Sequence, residues 1–250
     1  MRALRILLIV VVVLAAIFVA GDRIAVNYAE GKAADELRDH EDLGEKPDVS
    51  IKGFPFLTQV AGGSLDHVTV GIDDYAATTS AVGGPGGKAE TIHVRDLKAD
   101  MRDVDFSSDF SSATAASADG SARISYPDML KAAEVDSEDV APGITAKAVK
   151  LSDGGDGKVK VDVEVTVLGS KLPEPISVMS TLEVKGDVVT AHAEGLPKLP
   201  EGLGEEQMRK ITDYKQRIGD LPAGISIDRL TPVPDGVEII IKGSHVDLAG

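Results

Sequence analysis

The alternation of valine with polar residues between Lys158 and Leu168 is the feature that most constrains the fold. Every second position of this stretch is a valine, namely Val159, Val161, Val163, Val165 and Val167. Because successive side chains of a β-strand point to opposite faces, the pattern predicts a strand with one buried and one solvated face. The glycine-rich segment before it, Asp153 to Gly157, predicts a hairpin turn. A chain built around such a strand is expected to form an antiparallel sheet.

Runs with the same period predict further strands, over Val49 to Ile51, Ser64 to Tyr75, Thr91 to Phe106, Ile144 to Leu151 and Ile176 to Val184, and a closing hairpin from Ile225 to Ile241. Between Thr91 and Phe106 the apolar positions change parity twice. This change predicts a bulge or sharp twist at Arg95-Asp96 and a second near Asp103. A further bulge is expected at Gly243, and Ser107 to Ala118, which has no period, is expected to be a loop. The sheet should therefore be strongly curved.

Three amphipathic helices are predicted beyond the leader. Asp22 to His40 carries an apolar stripe that consists of Val26, Ala29, Ala33 and Leu37, and it packs on the sheet or forms a stalk at the membrane. Ser125 is a suitable N-cap for a short helix that begins near Pro127. Glu205 to Ile218 has acidic residues first, basic residues last and Gly219 as its cap. The predicted class is α+β, with a strongly curved antiparallel sheet wrapped on amphipathic helices.

The N-terminal leader indicates export. Ile6 to Ala20 is an unbroken apolar run preceded by Arg2 and Arg5, which are expected to stay on the cytoplasmic side. The run is shorter than the roughly 20 residues of a spanning helix and lies at the upper end of a signal-peptide core of about 7 to 15. Both a cleaved signal and a retained anchor therefore remain open. Residues 1–21 are assigned to this segment and residues 22–250 to a single domain outside the cytoplasm.

Charge and cysteine content exclude several classes of partner and chemistry. The chain has 41 acidic and 26 basic residues and a formal net charge of −15, so it lacks the basic footprint that nucleic acid requires. Broad electrostatic attraction to an anionic membrane is also excluded, so contact with lipid must be apolar. The absence of cysteine excludes disulfides, thiolate metal sites, thiol nucleophiles and lipoprotein acylation.

No arrangement of residues typical of catalysis is visible. The sequence contains no nucleophile elbow, zinc-protease helix, phosphate loop or dinucleotide fingerprint, and its five histidines are isolated. The acidic series from Asp96 to Asp109 is interleaved with Lys98 and Arg102, which indicates a solvated strand face better than a calcium site. We expect no enzyme activity, no metal site and no cofactor. A hydrolase with an unrecognised site, formed by residues distant in sequence, is the remaining alternative.

The segment Gly53-Phe54-Pro55-Phe56-Leu57 concentrates large apolar surface at one point of a chain with only five phenylalanines. Pro55 lacks an N–H and must end the strand that precedes it, so the chain is expected to turn at Gly53. Two interpretations are open for these side chains. They form either a core plug at the end of the sheet or the lip of an apolar cavity.

Three stretches together resemble the LmeA-like family of actinobacterial envelope phospholipid-binding proteins. They are Val49 to Gln59 with Gly62-Gly63, the anchor-like leader, and Leu221 to Gly243. The resemblance implies phospholipid binding on the outer side of the plasma membrane, a link to lipomannan elongation as in mycobacteria, and a fold similar to the tubular lipid-binding folds. It carries over no residue that binds a lipid headgroup.

Two functional hypotheses follow. In the first, the protein is exported and membrane-associated, its N-terminal segment contacts the plasma membrane, and phospholipid acyl chains bind in an apolar cavity between sheet and helix. The lip of that cavity consists of Phe54, Phe56 and Leu57, and its lining of Val163, Val165, Ile176, Val178, Ile239 and Ile241. In the second, the protein is an interaction module without a ligand. It then supports a membrane-bound glycosyltransferase or another envelope-building complex, and its interior is solidly packed.

Overall fold

A computed structural model describes residues 2–40, 42–79, 90–108, 112–132, 138–186, 188–195, 209, 213–217 and 224–249. The helices in these ranges are α1 Arg2–His40, α2 Phe56–Gly62 and α3 Tyr126–Ala132. The strands are β1 Asp48–Lys52, β2 Ser64–Thr79, β3 Glu90–Phe106, β4 Ala113–Ser125, β5 Glu138–Ala141, β6 Ile144–Gly155, β7 Lys158–Val167, β8 Ser170–Lys171, β9 Ile176–Lys185, β10 Val188–Glu194, β11 Tyr214–Arg217, β12 Ile225–Val233 and β13 Gly236–Ala249. The predicted α+β class with antiparallel strands is confirmed.

The strands divide between two open sheets, which corrects the expectation of one sheet wrapped on helices. Sheet A has the order β1-β2-β3-β4-β13-β12, and sheet B the order β11-β10-β9-β7-β6-β5 with β8 paired to β7. The division arises because α3 follows β4 directly and carries the chain out of sheet A. The last two strands then return to sheet A, where β13 pairs with β4.

Strand β7 matches its prediction closely. Its valines at positions 159, 161, 163 and 165 are buried, and the alternate residues Lys158, Lys160 and Glu164 are half-buried. The exception is Asp162, which is buried and accepts a hydrogen bond from Ser177 Oγ at 2.7 Å. These valines form one core cluster with β6 and with Tyr126 of α3. The start of α3 also agrees with its prediction, because the backbone N–H of Asp128 donates a hydrogen bond to Ser125 Oγ at 3.2 Å.

Strand β3 bends at the two predicted points. Asp96 and Asp103 have positive φ angles of 50° and 48°, in the left-handed region where aspartate is tolerated better than most residues. The register against β4 also shifts between Arg95 and Lys98. Each departure from extended backbone lets the apolar positions change parity while they stay on one face of the sheet.

Two predictions for sheet A are wrong. Residues 113–118, expected to be a loop, belong to β4, which lies between β3 and β13. Their alanines and serines give no periodic signal, so pairing on both sides decides the conformation. The bulge expected at Gly243 lies elsewhere, because Gly243 pairs directly with Ile225 and Ala118, and the register shift falls between Ile227 and Arg229. The extra residue is thus on β12.

The helix predicted over Glu205 to Ile218 is wrong at its C-terminal end. Tyr214–Arg217 forms β11, which pairs with Val188 to Ala191 of β10. Before it, the Asp213 N–H donates to the Arg209 carbonyl oxygen at 2.7 Å. Residues 205–208, 210–212 and 218 lie outside the described residues. The free edge of β10 offers backbone partners that outweigh the helical pattern at this end.

The leader and the helix predicted after it form one continuous helix, α1, that passes through Gly21. Residues 2–21 are all exposed, and the helix is long and apolar enough to cross a membrane. Beyond this run, α1 packs against β1 and α2. Its apolar stripe differs from the prediction at one position: Ala33 is exposed, whereas Ala34, like Val26, is buried. The stripe also begins earlier than expected, at the buried Asp22.

Candidate functional site

The segment from Gly53 to Leu57, which we call the aromatic segment, is held to α1 by a buried carboxylate. Asp22 is fully buried, and its Oδ1 accepts a hydrogen bond from the Leu57 backbone N–H at 2.9 Å. Its Oδ2 accepts a second bond from the Arg23 guanidinium at 2.8 Å. Burial raises the pKa of Asp22, but the Leu57 amide and Arg23 lower it more, so the net shift is downward. An ionised Asp22 therefore caps the first turn of α2.

This cap comes from another helix because the local sequence supplies none. Pro55 occupies the N-cap position of α2 and makes no side-chain hydrogen bond to the helix. The first N–H groups of any helix need acceptors, and a carboxylate near them also interacts favourably with the helix dipole. Asp22 thus meets a requirement that Pro55 leaves open, and it fixes α2 in place beside α1.

A second carboxylate of α1 holds the edge strand of sheet A. Glu30 Oε1 accepts a hydrogen bond from the Ile51 backbone N–H at 2.8 Å and one from Ser50 Oγ at 3.4 Å. Strand β1 lies at the edge of sheet A, where N–H groups that face away from β2 lack a strand partner. Asp22 and Glu30 together therefore join α1 to both ends of the segment that contains Phe54 and Phe56.

The three predicted lip residues separate into one buried and two exposed side chains. Phe56 has only 6% of its surface exposed, whereas Phe54 has 56% and Leu57 has 41%. The Arg23 guanidinium lies 5.2 Å from the centroid of the Phe54 ring, which is within cation–π range. Phe56 therefore has the position of a core plug, and Phe54 and Leu57 have the exposure that a lip requires.

Two of the predicted lining residues, Ile239 and Ile241, lie on β13 in an apolar face of sheet A. Register places Val49, Val70, Ala99, Gly120, Ile241 and Ile227 side by side across all six strands. A Cβ on Gly120 would lie 2.6 Å from Ile241 Cγ1, so the isoleucine side chain covers this glycine. We call this surface the sheet A apolar face; its members are half-buried apart from the buried Ile227, and they are Val49, Ile51, Val68, Val70, Ile72, Leu97, Ala99, Met101, Ala118, Gly120, Ala122, Ile225, Ile227, Ile239 and Ile241.

The other four predicted lining residues belong to sheet B. Val163, Val165 and Val178 are almost completely buried, and Ile176 is half-buried beside them. Val163, Val165 and Ile176 pack in the core cluster that contains Tyr126 of α3. The structure thus divides the predicted lining between two surfaces: the sheet B residues pack against protein, and Ile239 and Ile241 lie on a face that is only half covered.

Two depressions on sheet A are lined mostly by polar and charged residues, together with Val70, Ala99, Gly120 and Ala122 of the sheet A apolar face. One has a volume of about 460 Å³ and is lined by Asp48, Thr69, Val70, Gly71, Lys98, Ala99, Asp100, Asp119, Gly120 and Ser121. The other has a volume of about 280 Å³ and is lined by Asp96, Lys98, Ser121, Ala122, Arg123 and Glu238. Neither is lined by any of the nine predicted site residues, and their charged rims suit polar groups better than acyl chains.

Three histidines pair singly with aspartates on exposed or half-exposed strand surfaces. The His67–Asp100, His93–Asp74 and His192–Asp213 pairs have nitrogen–oxygen distances of 2.6, 2.9 and 3.0 Å. Within the ranges that the structure describes, no three His, Asp or Glu residues are grouped so that they could hold a metal ion. Arg102 also contacts Asp100, and Arg209 also contacts Asp213, so two of these pairs include an arginine.

Asp22 and Glu30 are not among the residues predicted to form the site. A signal for Asp22 is present in the sequence, because it lies one helical turn before Val26 on the buried stripe of α1. A carboxylate on a buried stripe needs a partner. Glu30 gives no comparable signal, since its acceptor role depends on where β1 lies.

Comparison with known proteins gives one match. The sequence model of a family described as LmeA-like phospholipid-binding matches residues 20–241. The match includes Asp22 and Glu30 of α1, the aromatic segment and most of both sheets. No curated protein and no solved structure matches the chain.

Proposed function

Because the chain belongs to the LmeA-like phospholipid-binding family, we propose that it is an exported, membrane-associated protein that carries or holds phospholipid by its acyl chains. The observation that supports a specific site is the sheet A apolar face. Its side chains are aliphatic and half-buried, which leaves apolar area available to a ligand. Each methylene that leaves water for such a surface contributes about 0.8 kcal/mol.

The proposed acyl-chain site uses part of the predicted residue set. Phe54 and Leu57 form the entrance beside β1, and Ile239 and Ile241 form the lining on β13. Neighbouring strands lie about 4.8 Å apart, so roughly 19 Å of sheet separates β1 from β13, a distance comparable to an extended long acyl chain. Val163, Val165, Ile176 and Val178 have a supporting role in this proposal, because they stabilise sheet B by packing.

The wider setting is part of the same proposal. Residues 22–250 act as one domain of the tubular lipid-binding type on the outer side of the plasma membrane, and residues 1–21 serve as signal or anchor. The protein then works in the cell envelope, with lipoglycan assembly as the process and an envelope glycosyltransferase as its partner. The family is a lipid-binding family and not a known enzyme family, which supports binding rather than catalysis.

The test measures lipid on the protein itself. Full-length protein extracted from membranes in mild detergent is examined by native mass spectrometry, and the adducts are fragmented to identify acyl chains. Ala99→Leu adds bulk to the sheet A apolar face and should lower lipid occupancy. Ser121→Leu adds comparable bulk to the neighbouring strand β4 at a position that pairs with Lys98, outside the sheet A apolar face, and should leave occupancy unchanged. Absence of lipid from the unmodified protein contradicts the proposal.

A second candidate function is an interaction module without a ligand. The observation that favours it is the tight packing of Val163, Val165 and Val178 in sheet B. It predicts co-purification of a membrane-bound envelope enzyme with protein that carries no lipid. Ala99→Leu would then have no effect on the partner, which separates this function from the first.

A further inference from the structure

The first contact between α1 and the folded body lies directly after the apolar run. The run ends at Ala20. Two residues later, Asp22 Oδ1 accepts a hydrogen bond from the Leu57 backbone N–H at 2.9 Å. A helix rises 1.5 Å per residue, so this contact lies about 3 Å along the axis beyond the run. If α1 crosses the bilayer, the start of α2 is therefore held at the level where the helix leaves the hydrocarbon.

Three of the side chains exposed at this level suit a membrane interface. Phe54 and Leu57 are large, apolar and exposed, and they lie three positions apart. Arg23 lies over the Phe54 ring with half of its side chain exposed. Aromatic rings are favoured at headgroup depth, and arginine can place its apolar stem in lipid while its guanidinium reaches phosphate.

The buried acid at this point does not oppose such a contact. Asp22 is fully buried, and both of its oxygens accept hydrogen bonds, one from Leu57 and one from Arg23. It therefore presents no carboxylate to lipid. The chain as a whole is acidic, with a formal net charge of −15, so apolar insertion rather than general charge attraction must supply the docking energy.

We propose that Phe54 and Leu57 insert into the headgroup–acyl boundary of the bilayer that α1 enters, with the Arg23 guanidinium at the phosphate level. Docking in this way holds the β1 edge of sheet A against the membrane. A lipid that leaves the bilayer then meets the sheet A apolar face first. The proposal rests on the membrane association in the proposed function, but it does not require a lipid bound on sheet A.

The chain contains no tryptophan, which permits a direct test. Phe54→Trp introduces a single tryptophan, which can be excited selectively in the presence of the four tyrosines, into the full-length protein reconstituted in phosphatidylcholine vesicles with or without brominated acyl chains. We expect the tryptophan to emit at a shorter wavelength than a tryptophan exposed to water. Bromine near the headgroup should quench it more strongly than bromine near the chain end, because interfacial groups lie about 5–10 Å into the boundary. Leu57→Trp provides a second reporter that should respond in the same way.

The control is Leu168→Trp. Leu168 is 83% exposed on the turn after β7, in sheet B, and should show long-wavelength emission without quenching. Unquenched emission from both the Phe54→Trp and the Leu57→Trp protein, equal to that of the control, overturns the docking proposal. Quenching in protein that carries no lipid adduct supports docking while it contradicts the lipid-binding function, so the two outcomes can be distinguished.

Discussion

The Asp22 carboxylate accepts a hydrogen bond from the backbone N–H of Leu57, 35 positions later in the chain, at 2.9 Å. This bond connects the helix that carries the apolar run to the segment that carries the exposed Phe54. Because the bond also caps α2, the same side chain contributes both to the fold of the segment and to its position relative to α1.

Replacement of Asp22 should destabilise α2 and make the stability of the protein less sensitive to acid. The folded-state pKa of Asp22 is below its ordinary value, so its ionisation stabilises the fold above about pH 4, and this stabilisation is lost as the pH falls through the ordinary carboxyl range and below. In Asp22→Asn, the protection of the Leu57 amide, which is its exchange rate relative to the intrinsic rate at the same pH, should be lower at neutral pH and should change less on acidification. Glu36→Gln, on an exposed face of α1, is the control. Identical exchange at Leu57 in all three proteins contradicts the capping role.

Tyr126→Phe should destabilise the protein and alter its alkaline behaviour. The Tyr126 O–H donates to the Val233 carbonyl oxygen at 2.9 Å, and burial, together with Asp153 and Asp235, raises the pKa of the phenol to about 12. The unfolded chain ionises near pH 10, so this residue's contribution is complete below pH 10 and is lost between about pH 10 and 12. Denaturant titration should show a loss of about 1 kcal/mol at pH 7 and a smaller decline from pH 9 to 11 than in the unmodified protein. If the stability of Tyr126→Phe declines from pH 9 to 11 as much as that of the unmodified protein, the prediction is contradicted.

Val163→Ala should lower the stability of the protein by weakening the packing of the core. Val163 is fully buried in the core cluster, and removal of its two methyl groups should cost about 2 kcal/mol. Val149→Ala, at an exposed position of β6, should change stability by less than about 0.5 kcal/mol. Lipid occupancy measured on the folded Val163→Ala protein should equal that of the unmodified protein. A specific loss of lipid without loss of stability would instead assign Val163 to a cavity lining.

The second bend of β3 should depend on the residue at position 103. Asp103 has a φ of 48°, which glycine adopts freely and a β-branched residue adopts at a cost of roughly 1–2 kcal/mol. Asp103→Val should therefore lower the free energy of unfolding by this amount, whereas Asp103→Gly should be close to neutral. Asp105→Val, on the same strand at a position without positive φ, is the matched control and should be neutral or slightly stabilising. Equal effects of the two valine substitutions would show that the bend carries no strain.

The candidate site could be predicted only incompletely. The aromatic segment stands out in the sequence because it places two phenylalanines around one proline. Its spacing does not tell which ring is buried, and the structure buries Phe56 and exposes Phe54. Valines of β7 and isoleucines of β13 give the same apolar pattern, yet the β7 valines lie in the core cluster beside α3, whereas β13 contributes Val237 to that cluster and none of its isoleucines. The difference depends on which element covers each face, and period-two spacing carries no information about that.

Local signals in the sequence determined the strand faces of β7, the two bends of β3, the Ser125 cap and the apolar run of α1, because each depends on side chains a few residues apart. Tertiary structure alone decided that the strands form two sheets and that Tyr214–Arg217 pairs with β10 at the edge of sheet B. It also decided that Asp22 and Glu30 hold the aromatic segment and β1. Backbone hydrogen bonds are nearly equivalent between alternative partners. The choice among them is therefore made by contacts between residues far apart in the chain.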